Sequence, residues 1–441
     1  MHRPLLIALA LALAAPPALA QTQGPPPLPP YVAPPPGQPI ERQQPNAAWQ
    51  TPAFAGQTRG PYQPTNVAFE VKPVASGLEH PWGLAFLPDG RMLVTEKQGR
   101  MRLVSADGKV SPPIGGIPAV DARQGGGLLD VEVDPNYARN HLIYWAYSEP
   151  RGNGAGTTVA RARLVIRPGP DPRLETLSPK GEALPGDLGE RVTVEDIQYV
   201  FRMLPTEDSY RSFGARIAFG RGQTMFISLG DLDFDPFRPL VQRLDTDVGK
   251  IIRINRDGSI PRDNPYLKVK GARPEIWAVG FRNALGAAVD PKTGELWTDE
   301  NGPRGGDELN IVEGGKNYGW PVITYGEEYS GEKIGEGLTR KAGMEQPVYY
   351  WDPVIAPSGL AFYEGDLFPA WKGSLFIGSL RQKRLVRLSL DGHRVVGEEH
   401  LLTDLGERIR AVKQGPDGAL YLLTDADRGR VLKVVLKVVP K

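Results

Sequence analysis

The sequence predicts an all-β chain, a six-bladed β-propeller of four-stranded antiparallel sheets. Three observations point to it. First, a short unit recurs, in which a turn rich in Asp, Gly, Pro or Asn precedes a strand-like run. It reads LPDGRMLVTEKQGRMRLV from Leu87, DPNYARNHLIYWAYSE from Asp134 and GRGQTMFISLGD from Gly220. It reads again as DPKTGELWTDENG from Asp290, FPAWKGSLFIGSL from Phe368 and GPDGALYLLTDADRGRVLKV from Gly415. Second, apolar residues in these runs alternate with small or polar ones at period two, the signature of a strand with one face buried, and no comparably long run carries helical spacing. Third, no linker-like change of composition divides the chain after residue 66, which argues against a pair of sandwiches. Six units at roughly sixty-residue intervals fit the four-to-eight blade range of propellers.

The elements follow in order. Residues 1–20, MHRPLLIALALALAAPPALA, join a short basic start, an apolar run and Ala-Leu-Ala. This is the pattern of a secretory signal cleaved after Ala20, too short for a membrane anchor. No later stretch is apolar enough to span a bilayer, so a periplasmic or secreted location is expected without a transmembrane anchor. Residues 21–66 are proline-rich (GPPPLPPYVAPPPGQP) and lack apolar periodicity, so a disordered linker is expected there. Residues 67–441 are the predicted propeller. The chain has no cysteine, so packing rather than disulfides must stabilise it. A formal net charge of +1, with both signs interspersed, gives no reason to expect nucleic acid.

Function is carried by loops on such a scaffold. The richest is Asp299–Pro321, DENGPRGGDELNIVEGGKNYGWP, with five acidic side chains and six glycines. Carboxylates and inward-turned carbonyls are what a hard cation such as Ca²⁺ requires. The plain alternative is a solvated, turn-rich loop, and no EF-hand spacing is present. Basic residues mark three further segments: Arg282-Asn283, then Arg381, Lys383 and Arg384, then Arg408 and Arg410. The period-two spacing of Arg408 and Arg410 sends both guanidinium groups to one side of a strand. Two forks on one face suit planar carboxylates. Each is singly an ordinary surface charge; together they suggest an anionic small molecule beside a bound cation.

The motifs HPWGLAFLPDGRMLVTEKQGRMRLV, GGLLDVEVDPNY, GKIIRINRDGSIPRDNPY, FRNALGAAVDPKTGELWTDENGPRGGDELNIVEGGKNYGWP and APSGLAFYEGDLFP carry a resemblance. From about Val71 to Lys437 the chain resembles the soluble PQQ-dependent sugar dehydrogenases, and the aldose sugar dehydrogenase branch in particular. The resemblance implies pyrroloquinoline quinone (PQQ) held over Ca²⁺, oxidation of the anomeric hydroxyl of a sugar substrate, and an external electron acceptor. It implies Gly302 and Pro303 as carbonyl ligands of the cofactor Ca²⁺. It places Glu308 and the Tyr318 carbonyl, with Asp307 nearby, at a second Ca²⁺. Arg408, Arg410, Arg282 and Asn283 match cofactor-contacting positions, and Arg381 stands where the family commonly has lysine.

Two departures stand out. In RSFGARIAF, Ser212 occupies the position of the family's base histidine, and a serine hydroxyl is a poor base near neutral pH. In DARQGGGLLD, the family's cofactor-contacting glutamine falls on Gly125, beside Gln124. Glu207, Asp208 and Asp130 are the carboxylates considered as replacement bases. Residues 167–190 look inserted, and an effect on the substrate entrance is expected. Three readings stay open: a dehydrogenase with an altered base, a non-catalytic calcium-binding propeller for carbohydrate or a protein partner, and a Ca²⁺-dependent lactone hydrolase.

Overall fold

The computed structural model describes residues 30–169, 188–209, 211–233 and 235–437. Six inner strands start at the same end of a central channel: Pro81–Phe86, Leu128–Val133, Gly214–Phe219, Ala284–Val289, Pro357–Phe362 and Ile409–Gln414. Each packs on the inner strands before and after it, and the last packs on the first, which closes the ring. Each opens an antiparallel sheet; five sheets have four strands and the first, residues 81–104, has three. The last blade is completed by the strand nearest the N-terminus. Phe69–Leu78 pairs with Gly429–Leu436, from Phe69↔Leu436 to Leu78↔Gly429. Pairing residues from the two ends of the chain in one sheet removes the seam that would otherwise expose a sheet edge.

The apolar core is divided as the period-two pattern requires. Six clusters of buried side chains lie at the six blade junctions. Trp145, for example, packs with Leu93 and Leu103 between blades one and two. Trp297 packs with Leu360 and Leu375 between blades four and five. Sheet faces buried against neighbours explain how so long a chain needs no single thick core.

Within the expected disordered linker, residues 33–66 are ordered against the propeller, and residues 21–29 lie outside the described residues. Residues 33–66 belong to the same compact unit as the propeller and lie across the outer strands of blades four and five. The Asp352 carboxylate accepts from the Asn46 N–H at 2.9 Å, Asn46 Nδ2 at 2.8 Å and the Ala47 N–H at 3.0 Å. Gln57, fully buried, donates to the Pro347 carbonyl at 2.9 Å, and the Gly60 N–H donates to Tyr349 Oη at 2.6 Å. Thr65 Oγ1 donates to Glu399 at 3.0 Å. Extended proline-rich backbone has no ladder of its own, but its remaining donors and acceptors are met by groups at blade edges. The expected signal, residues 1–20, lies outside the described residues.

The two ends of the inserted stretch lie away from the channel mouth. Gly154–Pro168 pairs with Glu190–Arg202, with Thr158 opposite Arg202 and Pro168 opposite Glu190. Only the Arg202 end leads into the Ser212 loop. The Pro168 and Glu190 ends lie some ten strand residues away, roughly 33 Å at strand rise. The expected effect on the substrate entrance has no support from this arrangement; residues 170–187 themselves lie outside the described residues.

Candidate active site

All inner strands begin at one end of the channel, and each second strand ends there. The residues at those starts and ends are therefore neighbours: His80 with Lys97, Ser212 with residues 230–233, Arg282-Asn283 with Glu300–Gly302, Ala356 with Leu380-Arg381, and Arg408 with Asp425. This geometry gathers most of the sequence-predicted site residues.

Asp425 organises one side. Its carboxylate accepts from Arg410 Nη2 at 2.6 Å and from Arg408 Nη2 at 3.1 Å, and it meets His80 Nδ1 at 2.8 Å. The other ring nitrogen of His80 lies 2.8 Å from Asp427. Burial alone would raise the Asp425 carboxyl, but the two guanidinium groups and the hydrogen bonds outweigh it and hold it well below the usual carboxylate range. Burial lowers Arg410, opposed by Asp425, and Arg410 Nε is buried without a protein partner. Trp82 lies between this group and Arg216: the Arg410 Cζ is 5.7 Å and the Arg216 Cζ 4.1 Å from its ring centre. Arg216 is held by Asp130 at 2.8 Å.

A second set of contacts runs around the mouth. Lys97 Nζ donates to the Gln124 carbonyl, and burial followed by the field of Arg410 lowers its pKa. Gln124 Oε1 accepts from Arg211 Nε at 2.5 Å, and Arg211 Nη1 lies 3.5 Å from Asp233. Asp233 in turn accepts from Arg282 Nη2 at 3.0 Å. Arg282 Nη1 donates to the carbonyls of Asn301 at 3.0 Å and Gly302 at 3.2 Å. Asn283 Oδ1 accepts from the Gly214 N–H at 3.1 Å, which fixes the loop bearing Ser212.

Ser212 is nearly buried, at φ +48°, and its carbonyl accepts from the Leu232 N–H at 3.3 Å. Gly230 lies against it, and a Cβ there would fall 1.7 Å from the Ser212 oxygen. Asp233 is the next residue after Leu232, whose N–H donates to the Ser212 carbonyl. Of the carboxylates considered from sequence, Asp130 is fully buried and committed to Arg216 and the Ile217 N–H. Asp208 is 71 % exposed and faces Arg123. Arg381 follows the strand Leu375–Ser379, its N–H donating to the Ile355 carbonyl at 3.0 Å.

The acidic loop divides into two parts. Both Asp307 oxygens accept from backbone: Gly302 N–H at 2.8 Å, Ile355 N–H at 2.7 Å and Ala356 N–H at 2.7 Å. Burial nonetheless raises its pKa to about 7. Asp307 therefore shapes the Gly302-Pro303 turn. Glu300 and Glu308 face each other across paired strands. Burial raises both; Glu300 raises Glu308 further, while the backbone N–H groups of Arg282 and Asn283 and the Arg282 charge oppose the rise at Glu300 in part. They line a small cavity with Gly302, Gly306, Tyr318 and Thr324; the space open to the centre of a water-sized sphere is about 10 Å³, which suits one water or ion. Among the described residues no three His, Cys, Asp or Glu side chains are disposed to hold a metal. A cation here would have to draw on carbonyls beside the two glutamates. The donor set fits a hard cation, because two buried like charges are costly until a cation sits between them.

Sequence reasoning missed His80, Lys97, Trp82, Asp233 and Asp425. The His-Pro-Trp and Thr-Asp-Ala-Asp stretches at the edges of repeat units were the available signal.

A six-bladed propeller with a cation-rich mouth beside an acidic loop is a scaffold suited to an anionic small molecule. The profile of the glucose/sorbosone dehydrogenase family matches residues 78–433, and the chain belongs to that family. It is 44% identical over 374 residues to the aldose sugar dehydrogenase YliI of Escherichia coli, covering 84% of this chain and 93% of that protein. The solved soluble aldose sugar dehydrogenase from E. coli, in its apo form, aligns at 42% identity with a TM-score of 0.75, over 84% of this chain and all of the other. The PQQ-bound aldose sugar dehydrogenase of Streptomyces coelicolor aligns at 27% identity with a TM-score of 0.65, over 84% and 99%. The family and these relatives make the chain a sugar dehydrogenase, an oxidoreductase.

Proposed function

We propose that this chain is a PQQ- and Ca²⁺-dependent dehydrogenase that oxidises the anomeric hydroxyl of aldoses outside the cytoplasm. One observation carries the reading. Guanidinium and ammonium groups from separate blades converge at one channel mouth, a density of positive charge that suits a ligand with several carboxylates. Arg408, Arg410 and Lys97 would hold the cofactor on one side, and Arg282, Asn283 and Arg381 on the other. The Gly302 and Pro303 carbonyls would hold its Ca²⁺, and Glu308 with the Tyr318 carbonyl a second Ca²⁺. Bound there, PQQ would supply a quinone oxidant for the anomeric carbon, with an external acceptor taking up the electrons.

The chain's own residues do the rest. Asp425 holds Arg408 and Arg410 in one direction, which spares the ligand the cost of orienting them. Ser212 cannot take the hydroxyl proton at neutral pH. Asp233, held between Arg211 and Arg282 one residue beyond the partner of the Ser212 carbonyl, would take it instead. Loss of an imidazole base costs a factor of about 10²–10⁴ in rate, so turnover is slow rather than absent. The basic start, apolar run and Ala-Leu-Ala of residues 1–20 support export to the periplasm.

Ser212 favours a second reading, a propeller that binds cofactor or carbohydrate without turnover. Dye reduction by the PQQ- and Ca²⁺-loaded protein, with an aldose as the sole reductant, separates the two. Sugar-dependent reduction supports the dehydrogenase; none with any aldose, despite bound cofactor, supports the binding propeller.

A further inference from the structure

Tyr329 is 66 % exposed, and its hydroxyl lies 3.5 Å from Nη2 of Arg282 at the channel mouth. Single exposed aromatic residues are common and need no explanation. What distinguishes this one is that a rigid turn presents it over the site. The Glu328 N–H donates to the Glu332 carbonyl at 2.8 Å, and the Gly331 N–H to the Glu328 carbonyl at 2.8 Å, so residues 328–332 form a tight tip. Two arginines from elsewhere in the fold hold that tip. Arg238 Nη2 donates to Glu328 at 3.1 Å, and Arg304 Nη1 pairs with the buried Glu327 at 3.1 Å. Arg238 also lies over the Trp320 ring at 5.4 Å. Holding the turn that carries an exposed ring gains nothing for the core, because the ring is not in it.

We propose that Tyr329 is a substrate-contacting residue, whose ring packs against the apolar C–H face of the sugar while Arg282 lies behind it. This rests on the aldose reading above. A pyranose combines a polar rim of hydroxyls with an apolar C–H face. An aromatic ring with a hydroxyl at its edge, beside a guanidinium, complements both. A turn already held in place costs the complex little backbone entropy. Tyr329 therefore sets affinity for the sugar and leaves cofactor binding to the arginines.

The test uses the PQQ- and Ca²⁺-loaded full chain with D-glucose and maltose. Tyr329→Ala is expected to raise KM about tenfold, with kcat changed less than about twofold and the PQQ absorbance titration unaltered. Tyr329→Phe, which keeps the ring, is expected to stay close to the unsubstituted protein. An unchanged KM in Tyr329→Ala, or equal loss in Tyr329→Phe, overturns the role of the ring. If the unsubstituted protein oxidises neither sugar, the enzymatic reading fails separately. Calorimetric titration with maltose then decides the contact: binding lost in Tyr329→Ala supports it, and no binding, or equal binding by both proteins, overturns it.

Discussion

Asp425 joins three groups that the chain brings from its two ends: His80, Arg408 and Arg410. Its folded pKa lies below its unfolded value, so its contribution to stability is fully present above the ordinary carboxylate range, near pH 4, and is lost as pH falls through the folded value. Asp425→Asn leaves two guanidinium groups facing each other without their carboxylate. It is expected to cost roughly 3 kcal/mol at pH 7, and the deficit should shrink in acid. Urea unfolding at pH 7 and pH 3 measures both; an equal deficit at the two values would contradict the charge-pairing account. Ser212 makes the opposite kind of claim, since it is defined by what its side chain cannot do. Ser212→His should raise kcat, and Asp233→Asn should lower it by about 10²-fold or more, read in steady-state dye reduction with an aldose. If Asp233→Asn leaves kcat unaltered, the proton goes elsewhere.

Residues 33–66 show how a segment without its own core becomes ordered. Their composition correctly says that they cannot fold alone, but it is silent about docking, which depends on acceptors such as Asp352 and Tyr349, about three hundred residues away in sequence. Asp352→Ala removes three hydrogen bonds to a carboxylate. It should release the segment to proteolysis between residues 46 and 59 while the propeller stays folded, as mass spectrometry of a limited digest would record. The acidic loop was better read from sequence, because carboxylates and glycines crowd into one run. Its internal division was not readable there: Asp307 and Glu308 are adjacent in sequence, yet a strand turns them to opposite faces. One serves backbone N–H groups and the other faces Glu300. Ca²⁺ is expected to raise the melting temperature of the protein by several degrees, and Glu308→Gln to remove most of that rise. A calcium-independent melting temperature in the unsubstituted protein would contradict the cation site.

The propeller as a whole converts sequence distance into proximity. Period-two runs and turn residues made the six blades predictable, and the six apolar clusters at blade junctions are what that pattern demands. The site was half visible. Arg282, Arg408 and Arg410 stood out as charged residues beside strand-like runs. His80 and Asp425, separated by 345 positions, meet only because the blade ring closes. Neither pairing nor register between blades is written in local periodicity. The central claim is that this closed ring assembles a PQQ site over Ca²⁺ that takes electrons from aldoses. The most direct measurement is absorbance titration of the purified chain with PQQ in Ca²⁺, followed by addition of an aldose. The account predicts saturable binding, weakened by Arg408→Ala, and a sugar-dependent change to the spectrum of the reduced cofactor. Absence of saturable binding, or a bound-cofactor spectrum that no aldose alters, would contradict it.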